Sequence, residues 1–191
     1  MALLTRTLRA LLCCALGLAI TRGACAAGAP TEYQVKAVFV FNFAHFVDWP
    51  PQSFTSPGEP FVIGILGDDP FGSRLDDAVR GEQINQHPLS VRRFRNVGEI
   101  TDCQILYIDR SESAQLDQIL AALDHRGTLT VSELEGSSER GVMIQFITEN
   151  NRIRLRINVE AARAAGLTIS SKLLRPAEIV TTKGAGTGGK D

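Results

Sequence analysis

The stretch that most limits what this chain can fold into is Thr31 to Pro50, TEYQVKAVFVFNFAHFVDWP. Thr31 and Gln34 stand in capping-box spacing, so two backbone donors that a helix start leaves orphaned can be satisfied there. The helix is expected to stop at Trp49-Pro50-Pro51, because the residue before a proline is pushed out of the helical region. Wound at 3.6 residues per turn, Gln34, Asn42, His45 and Asp48 share one narrow polar stripe. Lys36 alone interrupts the opposite side, and the rest is apolar, including Phe39, Phe41, Phe43 and Phe46. A helix lying on one surface of a globule needs a narrower apolar face. This one is built to be covered on two sides, by two layers of its own domain or by the domain on one side and another chain on the other.

The N-terminus reads as a segment that leaves the fold. Arg6 and Arg9 precede an apolar run from Ala10 to Ile20, and Ala24-Cys25-Ala26 has the A-x-A pattern of a secretory cleavage site, predicting a signal peptide over residues 1–26. A lipoprotein would instead be cut before Cys25, but Arg22 stands where an aliphatic residue is needed. Export predicts a periplasmic protein with one domain over residues 27–183 and a glycine-rich disordered tail over 184–191. Removing 1–26 takes three arginines and no acids, leaving 17 basic against 21 acidic side chains and a formal charge of −4. A nucleic-acid binder would show a basic excess, so none is expected as a partner. Cys13, Cys14 and Cys25 leave with the leader, and Cys103 stands without an internal partner in an oxidising compartment.

Along the mature chain, Phe61–Leu66 is a continuous apolar run, as in a strand buried on both faces. Gly67-Asp68-Asp69-Pro70 should turn into a helix reaching about Arg80, with Pro70 at its first position. Leu89–Phe94, Gln104–Ile108 and Leu129–Val131 read as further strands, and Ser113–Leu123 as an amphipathic helix. Val142–Thr148 and Arg152–Asn158, joined by Glu149-Asn150-Asn151, read as a hairpin. A short helix over Ala161–Ala165 is closed by Gly166. Alternating strands and helices imply right-handed crossovers. The expected fold is a single α/β domain: a mostly parallel sheet, helices on both faces and an antiparallel edge hairpin.

Candidates for chemistry are few. Asp68, Asp69, Asp109 and Ser132 follow strand ends, where open parallel sheets bind ligands. That pattern allows a small-molecule crevice, or a receiver-like phosphoacceptor with Mg²⁺ on its carboxylates. Against the second, the chain turns to an antiparallel hairpin, and the acids suit a turn and a helix N-cap. His45, His87 and His125 lie at no metal-ligand spacing, and Cys103 has the character of a small core residue. No nucleophile elbow or phosphate loop is present. We therefore expect no enzyme, no metal and no cofactor. The stronger lead is Arg152, Arg154 and Arg156, which period-two geometry puts on one face of a strand while Ile153, Leu155 and Ile157 face the core. The bland reading is a solvated sheet face. The functional one is a docking face for an acidic partner, suited to the guanidinium fork. Phe39, Phe43 and Phe46 are candidate anchors for a homodimer or partner contact.

The run EYQVKAVFVFNFAHFVDWP, then GDDPFG at 67–72, RGVMIQF at 140–146, NRIRLRINVEAARAAGL at 151–167 and SSKLLR at 170–175 together resemble the YfiR family. Those are periplasmic proteins that restrain a membrane-bound diguanylate cyclase. The resemblance implies binding to the periplasmic region of such a cyclase, with an outer-membrane lipoprotein as an additional candidate partner. It also implies lower cyclic-di-GMP signalling and a role in biofilm regulation. In the family the terminal segment is linked to ligand and partner recognition, which adds Lys172 and Arg175 to the candidate residues. Family members are often disulfide-bonded, and this chain departs from them there.

Overall fold

The computed structural model describes residues 31–54, 56–124 and 126–183. The leader and the tail expected over 1–26 and 184–191 lie outside the described residues. Helix α1, Glu32–Phe46, starts where its capping box demands: Thr31 accepts from the Gln34 backbone, and the Gln34 side chain accepts from the Thr31 N–H at 2.6 Å. It ends earlier than the prolines require. Val47–Asp48 (β1) is drawn into an antiparallel ribbon with Thr168–Ile169 (β9), and the Phe46 carbonyl accepts from Ser170 N–H at 2.8 Å. Tertiary pairing thus sets the helix end ahead of the local proline signal.

The remaining strands are β2 (Phe61–Leu66), β3 (Gln83–Ile84), β4 (His87–Phe94), β5 (Ile105–Ile108), β6 (Leu129–Ser132), β7 (Ile144–Glu149), β8 (Arg152–Asn158) and β10 (Glu178–Val180). They form one eight-stranded sheet in the order β10-β8-β7-β6-β5-β2-β4-β3. The run from β4 through β7 is parallel, and β3–β4 and β7–β8 are antiparallel. Asn150 and Asn151 both take left-handed φ, 49° and 58°, the pair of conformations a two-residue hairpin turn requires. The hairpin is not the edge, however. β10 adds beyond β8 in parallel register, Glu178 opposite Arg156, so the chain end closes the sheet.

Among the described residues, four further α-helices are α2 (Ser73–Val79), α3 (Leu116–Ala122), α4 (Val159–Ala164) and α5 (Ser171–Leu174). Pro70 lies outside α2. The 67–72 turn is held instead by Asp69, whose Oδ1 accepts from the Phe71 and Gly72 N–H groups, and by Arg93, which reaches Asp69 at 2.8 Å, Asp76 and the Gly72 carbonyl. Strand alternation divides the core in two. On one face α1, with Ala37, Val40, Phe43 and Ala44, packs on Phe61, Ile63, Ile65, Ile105, Tyr107, Leu129 and Val131. On the other, Leu116, Ile119 and Leu123 pack on Val62, Leu66, Leu106 and Ile108. Gly64 belongs to this second face, where a Cβ would come within 2.8 Å of the Phe94 ring.

Cys103 sits in the second cluster, 4% exposed, and burial pushes its thiol up to about 12. A thiol held protonated and inside is a poor nucleophile. The native protein should therefore fail to react with a thiol reagent at pH 8 and should react once unfolded. Rapid native labelling would show that Cys103 is accessible.

Candidate functional site

The carboxyl ends of β5 and β6 meet the first turn of α1 in a crevice of about 420 Å³, lined by Glu32, Lys36, Arg110, Glu133, Glu135, β7 residues 145–149 and Arg156 of β8. Its floor is ionic. Lys36 is 1% exposed and is bonded to the Glu133 carboxylate, itself 2% exposed, and to Glu32 at 2.6 Å. Glu133 also accepts from the Tyr33 hydroxyl at 2.8 Å and pairs with Arg110 at 3.2 Å. Glu32 accepts in turn from Thr148 Oγ at 2.7 Å, tying the start of α1 to the end of β7. The ammonium lies 4.9 Å from the Tyr33 ring centre, close enough for a cation–π contribution.

Burial works to raise the Glu133 carboxyl, but the hydrogen bonds from Lys36 and Tyr33 outweigh it and hold the group below the ordinary carboxylate range. Glu32 is lowered chiefly by its bond to Lys36. Tyr33 is pushed up to about 12 by burial and by donating to Glu133. Tyr107 is raised by burial and by the charge of Glu133, and its buried hydroxyl has no hydrogen-bond partner among the described residues. A network whose carboxylates are all ionised and bonded is suited to holding shape. Its Glu133 and Glu32 carboxyls are held low and its Tyr33 hydroxyl is held high, each moved away from the neutral range that proton transfer favours.

Of the acids and hydroxyl expected at strand ends, Asp69, Asp109 and Ser132 are spent on local structure, and Asp68 is exposed. Asp109 accepts from Ser111 N–H at 2.9 Å, and the Asp68 N–H donates to Ser111 Oγ. Ser132 donates to the Ile108 carbonyl at 2.7 Å and accepts from Leu134 N–H. Among the described residues no three His, Cys, Asp or Glu side chains cluster to hold a metal. His45 is exposed, His87 stacks on Phe54 with ring centres 3.8 Å apart, and His125 lies outside the described residues.

The arginine ladder sits on the sheet face opposite α1. Arg152 and Arg154 are exposed, and Arg156 is half-buried against Glu178 at 2.9 Å; Arg154 lies 3.7 Å from Glu149. Lys172 and Arg175 are exposed at the other side, since α5 sends Leu173 into the α1 cluster. The structure therefore does not join them to the ladder. Of the three phenylalanines, Phe43 is core, 0% exposed and stacked on Phe146, so it offers nothing to a partner. Phe39 and Phe46 are half-buried against the same cluster, and Val38 is the exposed apolar residue of the helix at 49%. The sequence pattern marks Lys36 only as an interruption of an apolar face, and nothing local marks Glu133 as its partner. The usable signal is that a lysine among core residues must have a carboxylate partner.

A family described as YfiR/HmsC-like matches residues 33–178, and the chain belongs to it. That family is one of periplasmic regulators, not catalysts. No helix among the described residues is long and apolar enough to cross a membrane. No curated protein matches the chain. Among solved structures, the ABC domain in complex with L-Trp from Streptococcus pneumonia is similar at a TM-score of 0.51 with 11% identity, over 78% of this chain and 60% of that one. A conserved domain protein from Vibrio cholerae O1 biovar eltor is similar at 0.52 and 11% identity, with the same coverages. At such identity the likeness concerns the fold. The chain spans about 60% of the length of either structure.

Proposed function

We propose, from the premise of membership in the YfiR/HmsC-like family, that this chain binds the periplasmic sensor region of an inner-membrane diguanylate cyclase. By doing so it holds the cyclase inactive and lowers cyclic-di-GMP signalling and biofilm formation. The observation that carries the reading beyond the family is the uncovered arginine face. On the side of the sheet opposite α1, helix α3 covers β2 and β5, while β8 offers Arg152 and Arg154 to solvent. Three like charges along one strand repel mildly. Two acids lie beside them, and Arg152 forms no ion pair among the described residues, so an acidic partner would gain both charge complementarity and bidentate bonds.

Regulation by such a protein needs no bond made or broken. It requires only that the chain bind the inactive cyclase more tightly than the active one, which shifts the equilibrium by the ratio of the two affinities. Lys172, Arg175, Phe39 and Phe46 would serve a separate contact on the α1 side. There a second copy or an outer-membrane lipoprotein would add, and sedimentation of the mature protein over a concentration series decides the dimer.

The test is genetic and biochemical. Deleting the gene should raise cellular cyclic-di-GMP, and wild-type protein should restore it. The double variant Arg152→Glu, Arg154→Glu should fold with an unchanged melting temperature, because both side chains are exposed, yet fail to restore repression. Its capture of the membrane partner should fall about tenfold or more. Full repression by that variant would exclude this face from docking. An unchanged cyclic-di-GMP level in the deletion strain would exclude the cyclase.

A further inference from the structure

The sheet contains an opening that the proposed regulatory contact does not use. β6 pairs with β7 only at Val131–Ile144 and Ser132–Gln145, while β7 continues to Glu149 alongside β8. In an antiparallel ladder successive residues direct their backbone groups to alternate sides. Met143 bonds to Asn158 across the hairpin, and the two-residue turn closes at Glu149–Arg152, so odd-numbered β7 residues bond to β8 and even-numbered ones face β6. Past Gln145, the Phe146 carbonyl and both backbone groups of Thr148 therefore face the crevice. The donor that would extend the parallel ladder to Phe146 is Leu134 N–H, and it is diverted to Ser132 Oγ at 3.2 Å. The chain then turns away, with Ser137 N–H donating to the Leu134 carbonyl. Ser132 thereby ends β6 and leaves an unpaired edge inside the sheet.

We propose that this stretch of β7, Phe146–Glu149, is a strand-addition site for an extended peptide segment of a partner protein. The segment carries basic side chains set against Glu135 and Glu149. The open length is about 13 Å at 3.3 Å per residue, enough for four residues of added strand. Main-chain bonds supply affinity in this mode, and flanking side chains select the sequence. The charges on the wall favour a base. Glu133 and Glu32 are consumed by Lys36, Arg110, Tyr33 and Thr148, and Arg156, the remaining cation on the wall, is taken up by Glu178. Glu135 is exposed and unpaired among the described residues, and Glu149 has only the 3.7 Å contact to Arg154. A second copy is a poor occupant. Its described edge strands β1, β3 and β9 are two residues long, and β10 would bring Glu178 against these acids; on the outer edge of β4 beyond Pro88, Arg93 is already held by Asp69 and Asp76. The proposal is independent of whether the regulated protein is a cyclase.

The probe is a capped heptapeptide of alternating valine and lysine, compared with its fully N-methylated counterpart and with the valine–glutamate version. Binding is read by calorimetry and by amide exchange of Thr148 in the full mature chain. The valine–lysine peptide should bind and slow Thr148 exchange at least about tenfold. N-methylation should weaken binding about tenfold or more, since the lost donors cannot be replaced. Glu135→Lys with Glu149→Lys should transfer preference to the glutamate peptide while Tm stays put. The idea fails if no peptide binds, if the N-methylated form binds as well as its parent, or if Thr148 exchange is unaffected. It fails equally if Thr148 is protected by raising protein concentration alone, which would make a second copy the occupant.

Discussion

Lys36→Ala is expected to cost about 3–5 kcal/mol of folding stability, measured by urea unfolding at pH 7. The ammonium is 1% exposed between Glu133 and Glu32, and its loss leaves the 2%-exposed Glu133 facing only Arg110 and Tyr33. An ionised carboxylate stripped of its main partner carries a desolvation cost that nothing local offsets. Arg110 is exposed and bonds at 3.2 Å, so it moderates the loss without cancelling it. Replacing both partners, Lys36→Met with Glu133→Leu, should recover most of the stability, because apolar residues of similar volume need no pairing.

The same cluster sets a pH signature. Glu133 and Glu32 lie below their ordinary value of 4.5 in the folded state. Their contribution is therefore fully present above pH 4.5 and is lost as pH falls through the lowered folded values. Wild type should lose stability steeply in that acid range, and Lys36→Ala should lose less. A Lys36→Ala variant within about 1 kcal/mol of wild type at pH 7 would show that water or Arg110 already satisfies Glu133.

Phe43→Ala is the second large effect, about 3–5 kcal/mol, from lost burial and the cavity left behind. Phe43 is fully enclosed and stacks on Phe146 at a centroid distance of 5.8 Å. Val38→Ala, one turn earlier on the exposed side, should change stability by no more than about 0.5 kcal/mol. Thermal and urea melts of the pair separate core from surface on one helix. If Phe43→Ala kept wild-type stability and lost only partner capture, Phe43 would be an interface anchor after all.

Much of the architecture was legible because local rules and tertiary packing agreed. The capping box starts α1 where expected, and the apolar runs 61–66 and 105–108 are strands buried on both faces. The Asn-Asn pair makes the hairpin, and Ile153, Leu155 and Ile157 turn inward while the arginines turn out. Legibility failed wherever a remote segment decided the outcome. The end of α1 belongs to the ribbon with β9, and the sheet edge belongs to β10. The aromatic set of α1 looked like one surplus face, yet packing on the sheet buries Phe43 against Phe146 and leaves Val38 exposed.

The candidate site divides in the same way. Period-two spacing determined the arginine face, and the leader pattern carries the expectation of export, because both depend on residues near one another in the chain. The crevice was decided by tertiary structure alone. Lys36 meets Glu133 across 97 residues, and Ser132 opens the sheet by taking a proton donor that the next ladder rung would have used. No short window of sequence contains both Lys36 and Glu133, and the Ser132–Leu134 bond, though local, opens an edge only because β7 arrives beside it. Only the folded backbone brings the buried Lys36 to the equally buried carboxylate of Glu133.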